Sequence, residues 1–312
     1  MSEPDQAWER QVLERLATDA LKEQKRARHW GIFFKSLTFF YLFIILFLAA
    51  GWFKGEKALT GRHTALVDLQ GVIAPKDESA DKITEGLQNA FEDKHTQGVI
   101  LRINSPGGSP VQAGQIYDEI KRLRAKYPKV PLYAVVDDIC ASGGYYVASA
   151  ADKIFVDKAS IVGSIGVLMD GFGFTKAMDK LGVERRLLTA GKNKGFLDPF
   201  SPVDPSQEKY AKTMLEEIHQ QFINVVRAGR GKRLKETSDM FSGLIWSGAE
   251  SIKLGLADGF GSADYVAREV IKAEDIVDYT PQEDIASRLA GKFGASMAQA
   301  FNPFAEQRAH LR

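Results

Sequence analysis

Cysteine is nearly absent from the 312 residues: Cys140 stands alone, so no intramolecular disulfide can form. An oxidising compartment is allowed by that count but not implied. Histidine is scarce too. His29, His63, His95, His219 and His310 are scattered, and none has metal-ligand spacing with a cysteine or carboxylate, which argues against a zinc enzyme. No metal and no cofactor are expected. Charge of one sign is not in excess: 41 basic against 40 acidic residues leaves a formal net charge of +1, with no electrostatic reason to expect nucleic acid. Internal repeats and low-complexity tracts are missing as well.

What the chain does have is a long apolar run. Ser36 to Phe53 reads SLTFFYLFIILFLAAGWF without a charge, and the apolar zone from Trp30 to Trp52 holds only Lys35, near one end, where it can snorkel. At about 1.5 Å per residue that zone covers roughly 35 Å, enough to cross a hydrocarbon core, with Trp30 and Trp52 at the interfaces. A cleaved signal peptide is the rival reading, through Ala49-Ala50-Gly51, but the charged segment before the run is too long for a usual n-region. An uncleaved anchor over 30–53 is therefore expected. Arg10, Arg15, Lys22, Lys25, Arg26 and Arg28 precede it and Lys54, Lys57 and Arg62 follow, so the N-terminus is placed in the cytoplasm and the bulk of the chain outside. In a two-membrane bacterium that side is the periplasm. Residues 1–29 read as a cytoplasmic amphipathic helix with Trp8, Val12, Leu13, Leu16, Ala20 and Leu21 roughly on one face.

After a polar linker, 54–63, strands and helices alternate. Thr64–Ile73, Gln97–Ile103, Val130–Val136 and Lys153–Val156 read as strands, with a further short one around Leu187–Leu188. Ser79–Phe91, Ser109–Ala125, Ser142–Ala151 and Val203–Arg227 read as helices. Ser109 can cap its helix and Pro110 suits the first turn, while Gly229 suits the stop of the last. Several strands are apolar on both faces, which implies an α/β layer fold with a mainly parallel sheet over 64–282. In 283–312, Ile285, Leu289, Phe293, Met297 and Phe301 recur at four-residue steps as on one helix face.

Ligand and catalytic groups in such sheets gather at the carboxyl ends of the strands. Two strand-to-helix turns stand there: Asn104-Ser-Pro-Gly-Gly-Ser109 and Ala141-Ser-Gly-Gly144. Both offer outward backbone N–H groups that could bind an oxyanion. Each also has a plain structural reading, a glycine turn for Gly107-Gly108 and a helix cap for Ser142. Cys140 sits in the apolar stretch before the turn, where a thiol is usually a small buried group. Ser142 as nucleophile needs a base, and no histidine lies near it in sequence. A deprotonated lysine is the simplest candidate, although a lysine's reference value near 10.4 must fall by roughly two to three units to serve near neutrality. In Thr189-Ala-Gly-Lys-Asn-Lys-Gly-Phe-Leu-Asp-Pro-Phe200, composition cannot choose between Lys192 and Lys194.

Together VILRINSPGGSP, DDICASGGYYVASAADKIF, IVGSIGV, AGKNKGFLDPFSP and the later IWSGAESIKLGLADGFG closely resemble the short, single-repeat signal peptide peptidase A group, in the S49 family of membrane-bound serine peptidases. The resemblance runs from about Thr64 to about Ile276. It implies a ClpP/crotonase-like ββα superhelix. It implies Ser142 as nucleophile, Lys194 rather than Lys192 as general base, and Ser164 as the hydroxyl that bonds that lysine. It also implies an oxyanion hole from the Gly143 N–H with one from the Gly107-Gly108 loop. It further implies a ring of copies in which serine and lysine meet across a subunit contact, and substrates such as signal-peptide remnants released at the lipid bilayer. Cys140 departs from the family, which more often has a small residue there, and it suggests thiol modification as a way to block the enzyme. Three alternatives use the same residues differently: a crotonase-type acyl-CoA enzyme, a stomatin-associated type peptidase trimming one membrane partner, and a catalytically inert membrane scaffold.

Overall fold

The computed structural model describes residues 3–49, 61–75 and 79–281. Two compact units divide the chain, one holding the N-terminal helix and one spanning Leu59–Gln282. In the first, helix α1 runs unbroken over Glu3–Ala49, so the polar segment and the start of the apolar run share one helix. Its Glu14–Phe47 stretch has a mean hydropathy of 1.9 over its most apolar window, none of it buried, and is long and apolar enough to cross a membrane. Trp30 stacks on Phe34 and meets Phe33 edge-on within it. The linker's residues 54–60, the end of the apolar run and the whole of 283–312 lie outside the described residues.

The second unit is built on one eight-stranded sheet. Its strands are β1 (His63–Gln70), β2 (Thr96–Ser105), β3 (Leu132–Ala141), β4 (Lys153–Val156), β5 (Ile161–Gly163), β6 (Ile245–Ser247), β7 (Gly259–Phe260) and β8 (Ile276–Asp278). The path is β6-β5-β3-β2-β1-β8, with β4 and β7 branching from β3. All pairs are parallel except β5 with β6. Alternation explains the double burial. Val67, Leu101 and Ala134 face helices α2 (Ser79–Glu92) and α3 (Pro110–Lys126), packing on Leu87, Ile116 and Ile120. Leu66, Ile100 and Val135 face the opposite way, onto Phe155, Val266 and Ala267. Each such fully buried aliphatic side chain contributes about 1.5–3 kcal/mol, which holds the parallel strands in register.

The branch at β3 positions the site. Tyr133–Val135 pair with β4, whereas Ile139–Ala141 pair with β5. Between them Asp137 and Asp138 are exposed and the β2–β3 register shifts between Ile103 and Ser105. The strand read as ending at Val136 therefore continues to Ala141 and delivers Ser142 beside β5. Helix α4 (Gly143–Ala148) is shorter than the expected Ser142–Ala151. Ser109 does cap α3, accepting from the Gln112 N–H, with Pro110 in the first turn.

Two expectations are corrected. Leu187–Leu188 form no strand: among the described residues no strand pairs with the segment, and Leu188 is 94% exposed. Helix α6 (Pro205–Arg230) runs past Gly229 and is capped at Gly231. Gly229 is instead a close-approach residue, since a Cβ there would lie 2.0 Å from the Ser149 carbonyl oxygen. A short helix α5 (Thr175–Leu181) and helix α7 (Gly248–Lys253) complete the labelled helices.

Candidate active site

Ser142 sits at the end of β3 with φ 52 and ψ −123, a conformation unfavourable for any residue with a Cβ. Its N–H donates to the Gly163 carbonyl (2.8 Å) and its own carbonyl accepts from the Tyr146 N–H (2.9 Å). The side chain makes no cap bond to α4. The plain reading of Ser142 as a helix cap thus fails: the backbone is held in a strained turn and the hydroxyl is left for other work.

The glycine loop lies against it. A Cβ on Gly107 (φ 102) would stand 2.7 Å from both the Gly143 nitrogen and the Ser142 Cβ, so only glycine lets the two turns meet. The Gly107 N–H is taken, donating to Ser105 Oγ at 3.2 Å. The loop is pinned on its other side by Ile73 N–H to the Gly107 carbonyl (2.9 Å) and Ser109 N–H to the Ile73 carbonyl (2.7 Å). Gly108 lies between those two bonds, and a methyl built on Gly143 would sit 3.3 Å from the Gly108 nitrogen. The Gly108 and Gly143 N–H groups have no acceptor among the described residues. These two adjacent, unused amides are the donors available to a developing oxyanion.

Ser164 follows β5 with φ 50, a second strained serine. Its N–H donates to the Leu244 carbonyl (2.7 Å) and its carbonyl accepts from the Gly166 N–H (2.9 Å). Ser142 and Ser164 open on one cavity of about 550 Å³ whose lining includes Gly108, Gly143, Tyr146, Val167, Ile218 and Phe222. The wall is mostly apolar, with Gln221 and Ser242 as polar side chains besides the two serines and Tyr146.

Lys194 is not part of that cavity. It lies in a run of turns from Gly191 to Asp198, with its N–H bonded to the Gly191 carbonyl (3.1 Å) and its side chain exposed and unbonded among the described residues. Lys192 is exposed in the same turns. The structure therefore brings together Ser142, Ser164, Gly143 and the Gly107-Gly108 loop, and leaves Lys194 outside. The segment carrying Lys194 is unusually apolar for a surface: Leu168, Phe172 and Leu181 are each at least 78% exposed, and Phe174 stacks on Phe200. Cys140 is fully buried and burial pushes its thiol far up, so it is closed to reagents, against the expectation that its modification would block the site. Two side chains that bond these turns are not singled out in the sequence: Ser105, which accepts the Gly107 N–H, and His219, whose Nε2 lies 3.1 Å from the Ile165 carbonyl. The His219 contact joins residues 54 apart in sequence, whereas the Ser105 contact is local but buried.

A parallel sheet that presents a strained serine beside two open amides has the layout of a ClpP-like hydrolase fold, and residues 62–161 match the Clp protease family. Residues 124–277 match peptidase family S49. A Methanocaldococcus jannaschii protein, provisionally named a protease, is 31% identical over 219 residues, 69% of this chain and 70% of that one. A protein of Enterococcus faecium, provisionally named signal peptide peptidase SppA, is 27% identical over 234 residues, 72% of this chain and 67% of that one. The chain belongs to peptidase family S49. It is also 47% identical over 175 residues to a Brucella melitensis protein named Na(+)/H(+) antiporter NhaA. That match takes in 56% of this chain but only about a quarter (24%) of the relative's length.

Proposed function

We propose that this chain is a membrane-anchored serine endopeptidase that cleaves apolar, extended peptides at the membrane, signal-peptide remnants among them. Residues 30–53 are its span and 1–29 its cytoplasmic part; 64–282 form the peptidase domain, outside the cytoplasm. The observation that carries the reading is Ser142: strained, free of capping duty, and facing a cavity beside the open amides of Gly108 and Gly143.

In the proposed reaction, uncharged Lys194 takes the Ser142 proton as the hydroxyl attacks the peptide carbonyl. The Gly143 and Gly108 N–H groups bond the oxyanion, and the glycine loop with Gly107 holds them in place. The Lys194 ammonium then protonates the leaving amine, and a water deprotonated by the same lysine releases the acyl group. Ser164 orients the amine. Because Lys194 is exposed and outside the cavity of its own chain, a neighbouring copy in a closed ring supplies it. The exposed apolar side chains around it give that neighbour a surface to cover. The cavity's apolar wall suits an aliphatic or aromatic substrate side chain, and the peptide lies as an added strand along the two turns.

A fluorophosphonate probe tests the reading directly. It should label wild-type protein at Ser142 and fail on Ser142→Ala, and Lys194→Ala should slow labelling and peptide cleavage together. A folded, assembled protein that neither reacts with the probe nor cleaves peptides would turn the assignment toward an inert scaffold.

A further inference from the structure

We propose that His219 is a positioning residue for this reaction: its Nε2–H pins the Ile165 carbonyl and so fixes the turn that carries Ser164. The inference rests on the Ser142 reading above but concerns a residue outside it. Gly163 (φ 114) and Ser164 (φ 50) are consecutive residues in the left-handed half of backbone space, and Ser164 has a Cβ to strain there. Such a conformation persists only where the surroundings over-determine it.

Besides the Ser142 N–H on the Gly163 carbonyl at 2.8 Å, three contacts do so. Antiparallel pairing with β6 continues into the Leu244 carbonyl, which accepts the Ser164 N–H at 2.7 Å. A tight turn closes through the Gly166 N–H on the Ser164 carbonyl at 2.9 Å. The third is His219, at 3.1 Å from the Ile165 carbonyl, and it is the only side chain hydrogen-bonded to residues 163–166 among the described residues. Ile165 itself is wholly buried, so its carbonyl has little access to water as a substitute donor.

A carbonyl can only accept, so the Nε2 atom of His219 carries the proton. Helix α6 places it: Ile218, Gln221 and Phe222, its neighbours on that helix, line the cavity over Ser142. One helix thus walls the cavity and, through His219, ties that wall to the turn holding the second serine. A glutamine can present an N–H at the reach of Nε2. Asparagine has a similar polarity but is too short, and leucine has no donor.

The test compares full-length His219→Gln, His219→Asn and His219→Leu with wild type and with Ser142→Ala. Peptide cleavage is measured per serine titrated by a fluorophosphonate, alongside amide hydrogen exchange over residues 164–167. The asparagine and leucine variants should lose roughly tenfold in kcat with KM changed by less than about twofold, and should exchange faster at Gly166. The glutamine variant should recover most of both. Should the leucine variant fail to fold, the asparagine–glutamine pair carries the comparison. Undiminished kcat per titrated serine in the asparagine variant, or a glutamine variant as impaired as asparagine, overturns the proposal. Wild-type cleavage by Ser142→Ala would instead overturn the serine reading, and the reaction role of His219 with it. That control tells the two failures apart.

Discussion

Replacing Gly143 by alanine separates chemistry from folding at the proposed oxyanion site. Gly143 begins α4 and is not a positive-φ residue, so an alanine backbone is acceptable there. The new methyl would meet the Gly108 nitrogen at 3.3 Å, Ala113 Cβ at 3.4 Å and Gly107 Cα at 3.6 Å. Those contacts are tight but require shifts of only tenths of an ångström. Overpacking of that kind costs about 1–2 kcal/mol, and the gain in helix preference from glycine to alanine offsets up to about 1 kcal/mol of it. For a domain of this size the melting temperature should fall by no more than about 8 °C.

Activity should respond far more. The methyl would press on the Gly108 nitrogen and the Gly107 Cα, so one open amide has to shift relative to the other and the pair no longer converges as it does in the wild type. Loss of one oxyanion donor costs about 10²–10³ in kcat, or about 3–4 kcal/mol. The assay is kcat/KM on an apolar peptide, per folded chain, beside a thermal melt. A Gly143→Ala protein that melts near wild type and keeps kcat/KM within about threefold would refute the oxyanion assignment. Gly108→Ala cannot replace it as a test, because its Cβ would fall 2.1 Å from the Ile73 carbonyl oxygen and the loop itself would break.

Three further outcomes are expected. Assemblies formed from Ser142→Ala chains mixed with Lys194→Ala chains should recover partial activity that neither variant has alone; no recovery in verified mixed assemblies would place the dyad within one chain. Cys140 should resist alkylation in the native protein at pH 8 and react only at the rate of unfolding, as measured by mass spectrometry with and without denaturant. Asp258→Asn should destabilise by about 3–5 kcal/mol, because it strips the carboxylate from the fully buried Arg230, bonded at 2.8 Å. Burial pushes the Asp258 carboxyl up, but the Arg230 hydrogen bond and charge, with the Ile154 N–H, outweigh it and hold the group below its ordinary value. Its stabilisation is therefore present above about pH 4 and fades as pH falls through the lower folded value, so acid melts should converge for wild type and variant.

Local chemistry was legible in the sequence and partner-dependent structure was not. Ser109 and Pro110 announce α3 because a cap and a first-turn proline act within four residues. The apolar strands announce a buried parallel sheet because both faces are covered. By contrast β3 looks finished at Val136, where Asp137 and Asp138 break the apolar pattern. It continues because β5, over twenty residues later, takes up its second half. Strands β6, β7 and β8 have two or three residues each and exist only through their neighbours. Leu187–Leu188 shows the converse, apolar enough for a strand yet paired with no strand among the described residues. At the site, the motifs pointed to Ser142, Ser164 and the glycines, whereas His219 became visible only when helix α6 was folded against the Ser164 turn, 54 residues away in sequence.

The two halves of the proposed dyad differ in kind, and under the proposed mechanism that difference predicts that activity depends on assembly. Ser142 is held by a sheet, a glycine loop and a helix start, all within one chain. Lys194 is held by turns alone, with its side chain in solvent. An amine gives up its proton near neutrality only where burial removes its water or a cation lies close. A single chain half-buries the serine and leaves the lysine in solvent, so in the proposed mechanism the burial comes from association. Exposed Leu168, Phe172, Leu181 and Leu188 lie on the same segment and would be covered by it. Dilution in detergent should then lower kcat/KM per chain in step with the loss of the larger species, followed by light scattering, and the pH at half-maximal rate should not drift while the assembly persists. Cleavage that stays constant per chain down to a demonstrated monomer would leave Lys194 of a neighbour with no part in the chemistry.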